Sequence, residues 1–296
     1  MARRGNVPRV LTTFVGREQE LHDVLRLLRG ARLITLTGPG GVGKTRLALT
    51  VADHLTPKGA DEACLADLTP LRDPSLVPLT VATAVGIPEE RGKPILTTLA
   101  EDLQDRRLCL VLDGCDHLLA GCLPLVERLL RQCPDLRILA TSREVLGIGG
   151  ETVYRVPPLS LPAAEEPPTA AGSVRSPAVR LFLDRARSVL PAFQLGEEHA
   201  AIVVQICRRL DGIPLALELA AARVRVLSLE QILERLDDRF RLLRTGDPTA
   251  HPRQRSLQAT LDWSHHGLAE TEKVLFRRLA TFPGSFTLEA VESICT

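Results

Sequence analysis

The stretch from Leu33 to Leu55 constrains this chain more than any other. It reads LITLT, then GPGGVGKT, then RLALTVADHL. An apolar, β-prone run leads into a glycine-rich loop, and the loop opens an amphipathic helix. Gly38, Gly43, Lys44 and Thr45 satisfy the pattern G-x-x-x-x-G-K-[ST] of a phosphate-binding loop, with Gly40, Gly41 and Val42 inside it and Arg46 just after it. Glycines let successive backbone N–H groups turn inward around phosphate oxygens, where a side chain would obstruct the turn. The helix behind the loop points the positive end of its dipole, roughly half a charge, at the same anion. Lys44 adds a full charge for the β- and γ-phosphates, and the Thr45 hydroxyl is placed to ligate Mg²⁺. The flanks agree: Leu33, Ile34 and Leu36 read as a buried strand, and Leu47, Ala48, Val51 and Leu55 keep one helix face apolar.

The length of 296 residues accommodates about two domains. A net charge of +1 provides no bulk attraction to nucleic acid or anionic lipid, and 3% aromatic residues leave little for base stacking. No run approaches the ~18 apolar residues of a membrane span, and the start MARRGNVPRV lacks the apolar core of a signal peptide. The seven cysteines include no C-x-x-C pair, and Cys109, Cys115, Cys122 and Cys133 have no zinc-site spacing. Buried thiols in a reducing cytoplasm are the expectation. The pair His265 and His266 lacks further ligands at helical spacing and reads as a surface pair.

Residues 1–13 read as a flexible polar lead-in. A helix beginning at Phe14–Glu18 aligns Leu21, Val24, Leu25 and Leu28 on one face, with Gly30 placed to end it. Ala63–Leu68 is a second strand, followed by helices from Ser75 or Leu76 to Val85 and from Ile95 to Leu103. Leu108–Asp113 is a fully apolar strand of the parallel-sheet kind that ends on a carboxylate. Downstream of a phosphate-binding loop, that carboxylate is placed to hold the Mg²⁺ shell beside Thr45; on its own it could equally cap the helix expected over Cys115–Arg131. Leu136–Ala140 is a further strand, suited to insertion between the two motif strands. It ends in Thr141-Ser142-Arg143, so Arg143 either faces a γ-phosphate or is a solvated surface arginine. Val153–Val156 makes a fifth strand.

From Pro157 to Pro177 the composition becomes proline-rich without helical or strand period, which marks a linker. Ser176-Pro177 then starts a run of helices as N-cap and first residue: Ala178–Leu190, Glu197–Leu210, Pro214–Val226 and Leu229–Leu236. Ser228 and Gln231 form a capping box for the fourth. After a break at Gly246–Pro252, Leu257, Leu261 and Leu268 share one helix face and Leu275, Leu279 and Phe282 another. Pro283-Gly284 makes a turn before a last helix capped by Thr287.

Six motifs in order carry a resemblance: FVGRE at Phe14–Glu18, GPGGVGKT at Gly38–Thr45, LVLDGCDHLL at Leu110–Leu119, ILATSRE at Ile138–Glu144, GIPLALELAA at Gly212–Ala221, and the segment Ser256–Cys295. Together they resemble the NB-ARC family of STAND signalling ATPases, and within it the nucleotide-binding modules of actinobacterial LuxR-type and related transcriptional regulators. The resemblance implies an α/β P-loop NTPase domain of the extra-strand class over 14–156. After the linker at 157–175 it implies a helical-bundle domain over 176–247 and a truncated winged-helix domain over 248–296. It places Val15 and Arg17 near the adenine, with Pro214 on the other side of the base, and makes Arg143 the sensor of the γ-phosphate. It also implies ADP holding the units closed, and exchange for ATP letting them rotate and self-associate.

Two departures stand out. Family members often carry an acid or amide directly after the strand-end aspartate, where this chain has Gly114. The next carboxylate is Asp116, the candidate general base for the attacking water beside the catalytic set Lys44, Asp113 and Arg143, which leaves at most a slow ATPase. The winged-helix segment also stops before the family's phosphate-contacting motif, and output and sensor pieces are missing from this chain. The expected function is a cytoplasmic ATP/ADP switch with Mg²⁺. One alternative is a turnover ATPase or kinase-like enzyme. Another is a DNA- or partner-binding scaffold using Arg239, Arg241, Arg244, Arg253 and Arg255. Interleaved acids and the missing wing argue against direct DNA binding, and no membrane partner is expected.

Overall fold

A computed structural model of the chain describes residues 5–8, 11–55, 62–163, 169–238, 242–243, 256–266, 268–282 and 286–295. The five basic residues from Arg239 to Arg255, the break at Gly246–Pro252 and the Pro283-Gly284 turn lie outside the described residues.

The first unit is built on five parallel strands: β1 (Leu33–Thr37), β2 (Glu62–Asp67), β3 (Leu108–Asp113), β4 (Leu136–Thr141) and β5 (Glu151–Arg155). Their spatial order is β2-β3-β4-β1-β5. The strand after the Asp113 strand therefore lies between the two motif strands, as its place in the sequence anticipated. Because both sheet faces are covered, β1 and β3 are buried at every position. The side-chain period of two sends Ile34, Leu36, Cys109 and Val111 to one face. There they pack with Val24 of α1 (Glu18–Leu27), its C-cap residue Leu28, and Leu47 and Val51 of α2 (Lys44–Leu55). Leu33, Leu110, Leu112 and Ile138 take the other face, against α3 (Val77–Val85), α4 (Ile95–Leu103) and α5 (Leu119–Gln132). Parallel pairing in register aligns the strand ends. Asp113 sits opposite Thr141 on one side and Asp67 on the other, so the polar residues that close the strands collect along one edge.

Several local expectations change. The helix expected over Cys115–Arg131 is split. Gly114 takes φ 88°, a short 3₁₀ turn covers Cys115–His117, and α5 begins only at Leu119. The lead-in does not run free where it is described. Asn6 Nδ2 donates to the carbonyl of Leu65 (2.9 Å) and Asn6 Oδ1 accepts from the Leu65 amide (2.7 Å), so this side chain completes the edge of β2. The linker also holds structure: Thr169 caps a single turn, α6 (Ala170–Ser173), by accepting from the Gly172 amide.

The second unit packs α7 (Pro177–Val189), α8 (Glu197–Arg209), α9 (Pro214–Ala221) and α10 (Leu229–Arg235) around Phe182, Val203, Ile206, Leu217 and Ile232. The Ser228–Gln231 capping box is present in both directions. Ser176 stands at the N-cap position of α7 but does not cap it; its hydroxyl donates instead to the Ser160 carbonyl at 2.7 Å. That contact ties the linker to the helix it precedes. A second tie needs glycine: Gly212 takes φ +65°, and a Cβ there would come within 2.2 Å of the Leu159 carbonyl oxygen.

Three helices follow among the described residues, at Leu257–His266, Glu270–Leu279 and Leu288–Cys295. Leu261, Leu275, Phe276, Leu288 and Ile294 are exposed, and among these helices Cys295 is the described buried hydrophobic. The architecture shown is therefore an α/β P-loop fold with a parallel sheet, followed by helical structure, and no distinct winged-helix domain emerges among the described residues.

Candidate functional site

The glycine loop leaves β1 where the strand ends converge. Gly38, Gly41 and Gly43 all have positive φ, at 143°, 78° and 97°. At Gly41 the demand is also steric, because a Cβ would lie 2.9 Å from Leu215 Cβ. Val42 is fully buried and anchors the middle of the loop in the core below. Helix α2 starts at Lys44, so its N-terminal amides face the loop's concavity. Lys44 Nζ donates across the loop to the carbonyls of Gly38 (2.7 Å) and Pro39 (3.1 Å).

One turn into the site, Thr45 Oγ1 donates to Asp113 Oδ1 at 2.6 Å. Thr141 Oγ1 donates to the same oxygen at 2.6 Å and accepts from the Gly114 amide at 2.9 Å. Asp113 and Thr141 are both buried. A carboxylate held by two hydroxyls in this way is fixed in orientation, and that fixing comes from the β3–β4 register. Asp113 is thus joined directly to the P-loop threonine. The hydroxyl and carboxylate oxygens of Thr45 and Asp113 also suit Mg²⁺, which prefers hard oxygens and usually takes one or two carboxylates with substrate phosphates. Position 114 leaves no space for an acid or amide side chain: a Cβ on Gly114 would lie 2.7 Å from Thr69 Cγ2.

Beyond β4, Arg143 Nε donates to Asp116 Oδ2 at 2.6 Å, and Arg143 Nη2 lies 2.6 Å from the same oxygen. Arg143 is therefore paired and turned toward Asp116, not a loose surface cation. Arg17 is buried, with φ 65°, an unusual backbone for a non-glycine residue. Its Nη2 donates to the carbonyls of Val42 (2.6 Å) and Pro157 (2.8 Å), clasping loop and linker together. Burial pushes its pKa below the usual arginine value, and Glu20 opposes the shift. Val15 packs into the helical unit's core.

The helical unit closes over the loop. The Leu215 amide donates to the Gly41 carbonyl at 3.2 Å, and Pro214 Cγ lies 3.9 Å from the Cβ position of Gly43. Glu218 Oε1 joins Arg46 Nη1 (3.3 Å) to Arg185 Nε (2.9 Å). Both arginines also donate to the Thr13 carbonyl at 3.0 Å. Burial lowers the Arg46 pKa, with Glu218 opposing.

Comparison with known proteins gives the chain its relatives. A family model described as an AAA domain matches residues 26–147. Rv0894 of Mycobacterium tuberculosis is 43% identical over 286 residues, covering 97% of this chain and 70% of that protein. The chain belongs to the Rv0894 family. Rv0890c of the same organism, named "Putative HTH-type transcriptional regulator", is 48% identical over 268 residues, covering 90% of this chain. The chain spans 29% of the length of that regulator. Two solved structures share the fold. Drosophila ORC bound to DNA has TM-score 0.55, 14% identity and coverage of 94% of this chain and 80% of that one. The Aeropyrum pernix ORC2 protein has TM-score 0.53, 13% identity and coverage of 97% and 81%. The chain thus carries an AAA-type P-loop domain related to mycobacterial HTH-type regulators.

Of the sequence-predicted residues, the structure brings Gly38, Gly40, Gly41, Val42, Gly43, Lys44, Thr45 and Asp113 into one constellation, with Arg17, Arg46 and Pro214 bordering the loop and Arg143 with Asp116 at the adjoining strand end. Sequence reasoning missed Leu215 and Glu218, and named Thr141 only as one of the polar residues that end its strand, without its bond to Asp113. Only the sheet order places Thr141 against Asp113. Glu218 had a legible signal, being the one charge in the otherwise apolar run PLALELAA. Among the described residues no cluster of three or more His, Cys, Asp or Glu gathers as a metal site, and no helix is long and apolar enough to cross a membrane. None of the seven cysteines is in a disulfide, and all are buried.

Proposed function

We propose that this chain is the ATP/ADP-binding switch module of a bacterial transcriptional regulator of the NB-ARC/STAND type, working in the cytoplasm. The observation that carries this reading is the direct seat of the helical unit on the phosphate loop, through Leu215 and Gly41, beside the Thr45–Asp113 pair. A loop that holds phosphates and also bears the neighbouring unit couples occupancy of the site to the arrangement of the units. A nucleotide can shift that arrangement only by the difference in its affinity for the two forms.

In this reading the loop amides and the α2 N-terminus hold the β-phosphate, Lys44 leaves its carbonyl partners for the phosphates, and Thr45 with Asp113 holds Mg²⁺, which neutralises phosphate charge when bound. Val15, Arg17 and Pro214 lie toward the base, and Arg143 reads the γ-phosphate. Hydrolysis is slow, because Gly114 supplies no base and Asp116 is engaged by Arg143. Residues 248–296 belong to a winged-helix unit. ATP binding opens the Leu215–Gly41 seat and permits self-association, and the longer regulator supplies sensing and output.

Titration calorimetry with ADP and ATP tests this reading. The unmodified chain binds both with Mg²⁺, and Lys44→Ala abolishes tight binding. Unchanged affinity in Lys44→Ala overturns the assignment. A turnover near one per second or faster, in the range of metabolic enzymes, would instead favour a true ATPase.

A further inference from the structure

We infer that Asp116 sets the preference of the site between ADP and ATP by holding Arg143, and does not serve as a general base. The inference rests on the nucleotide-switch reading above. Both Arg143 nitrogens converge on one oxygen of Asp116, at 2.6 Å each. The Asp116 side chain is only 9% exposed, so water screens the pair weakly.

Both ends of the pair are firmly rooted. Asp116 sits in the 3₁₀ turn Cys115–His117, which begins at the left-handed Gly114 and has Cys115 buried beneath it. His117 Nε2 shares a 2.9 Å hydrogen bond with the Leu71 carbonyl and pins the far end of the turn. Arg143 follows Ser142, whose amide donates to the Leu36 carbonyl at 3.1 Å, two residues before the phosphate loop begins. Two residues before Arg143, Thr141 holds Asp113. The guanidinium is therefore rooted between the loop and the metal-side carboxylate, yet Asp116 claims it.

A γ-phosphate must compete with Asp116 for this guanidinium, whereas ADP has no group that does. The pair consequently lowers ATP affinity relative to ADP, and removing the acid's charge raises it. A general base predicts something different: loss of turnover with no change in the ratio of affinities.

Calorimetry with ADP and with a non-hydrolysable ATP analogue, each with Mg²⁺, separates these. In Asp116→Asn the affinity for the ATP analogue rises by about tenfold while that for ADP stays within about twofold. Asp116→Glu, which keeps the charge, returns the ratio toward that of the unmodified protein. In an Arg143→Ala background, Asp116→Asn has no further effect on the ratio. An unchanged ratio in Asp116→Asn, with both nucleotides still bound and the circular-dichroism spectrum preserved, overturns the inference and leaves the switch reading standing. Failure of the unmodified protein to bind either nucleotide overturns both.

Discussion

Gly114→Ala is expected to destabilise the protein through two separable effects at one atom. Gly114 has φ 88°, where an L-residue costs about 1–2 kcal/mol. Its added Cβ would also meet Thr69 Cγ2 at 2.7 Å, while the next contacts, Thr69 Cα and N, lie at 3.5 Å. Thr69 cannot swing aside without loss, because its hydroxyl and amide both donate to Asp67 Oδ1, at 2.6 and 2.9 Å. Forcing a methyl group into such a site costs about 1–3 kcal/mol. The sum is about 2–5 kcal/mol. Thr69→Ser removes Cγ2 and keeps the hydroxyl on Asp67. In that background Gly114→Ala should cost only the backbone part, about 1–2 kcal/mol. Urea unfolding followed by far-UV circular dichroism gives the four midpoints, compared at a common slope. An equal cost of Gly114→Ala in both backgrounds refutes the steric half of this reasoning.

Three further outcomes follow from the same geometry. Thr141→Val leaves the Gly114 amide without its 2.9 Å acceptor and Asp113 without one donor. It should destabilise by about 1–3 kcal/mol, and calorimetry with and without Mg²⁺ should show a weakened Mg²⁺ dependence of ATP binding. Glu218→Ala strips two arginines of a shared acceptor, one of them with only 11% of its side chain exposed. The expected cost is about 1–3 kcal/mol, below the ~3–5 of a fully buried pair, read from unfolding midpoints together with faster proteolysis between residues 157 and 175. Burial pushes the Cys207 thiol up to about 12 from an ordinary value near 9. Below pH 9 both folded and unfolded chains keep this proton; above it only the unfolded chain releases it, so stability falls by about 1.4 kcal/mol per pH unit until about pH 12. Unfolding midpoints measured from about pH 8 upward should therefore drop more steeply in the unmodified protein than in Cys207→Ala.

Local chemistry was legible wherever it depends on neighbours in the chain. The glycine pattern from Gly38 to Gly43 determined the loop, because glycine takes positive φ at no steric cost, and the apolar runs around Ile34 and Val111 determined buried strands. Spacing alone also determined the Ser228–Gln231 capping box, since both its bonds span three residues. Ser176 shows where such local reading fails. It has the type and place of an N-cap, yet the Ser160 carbonyl, brought close by the folded linker, claims its hydroxyl. Asn6 is a second case: it lies in a polar segment without periodicity, and only the edge of β2 supplies its partner.

The amino-acid sequence by itself determined that this chain carries a phosphate-binding loop, a strand-end carboxylate and a helical unit after a proline-rich link. The tertiary structure alone decided that Thr141 orients Asp113, that Asp116 claims Arg143, that Thr69 closes the space over Gly114, and that Leu215 seats the helical unit on Gly41. Each of these contacts joins residues at least 27 positions apart, so no periodicity or propensity encodes it. Strand order, the parallel register of β3 with β4, and the packing of two units against one loop create these contacts, and they exist only once the chain has folded.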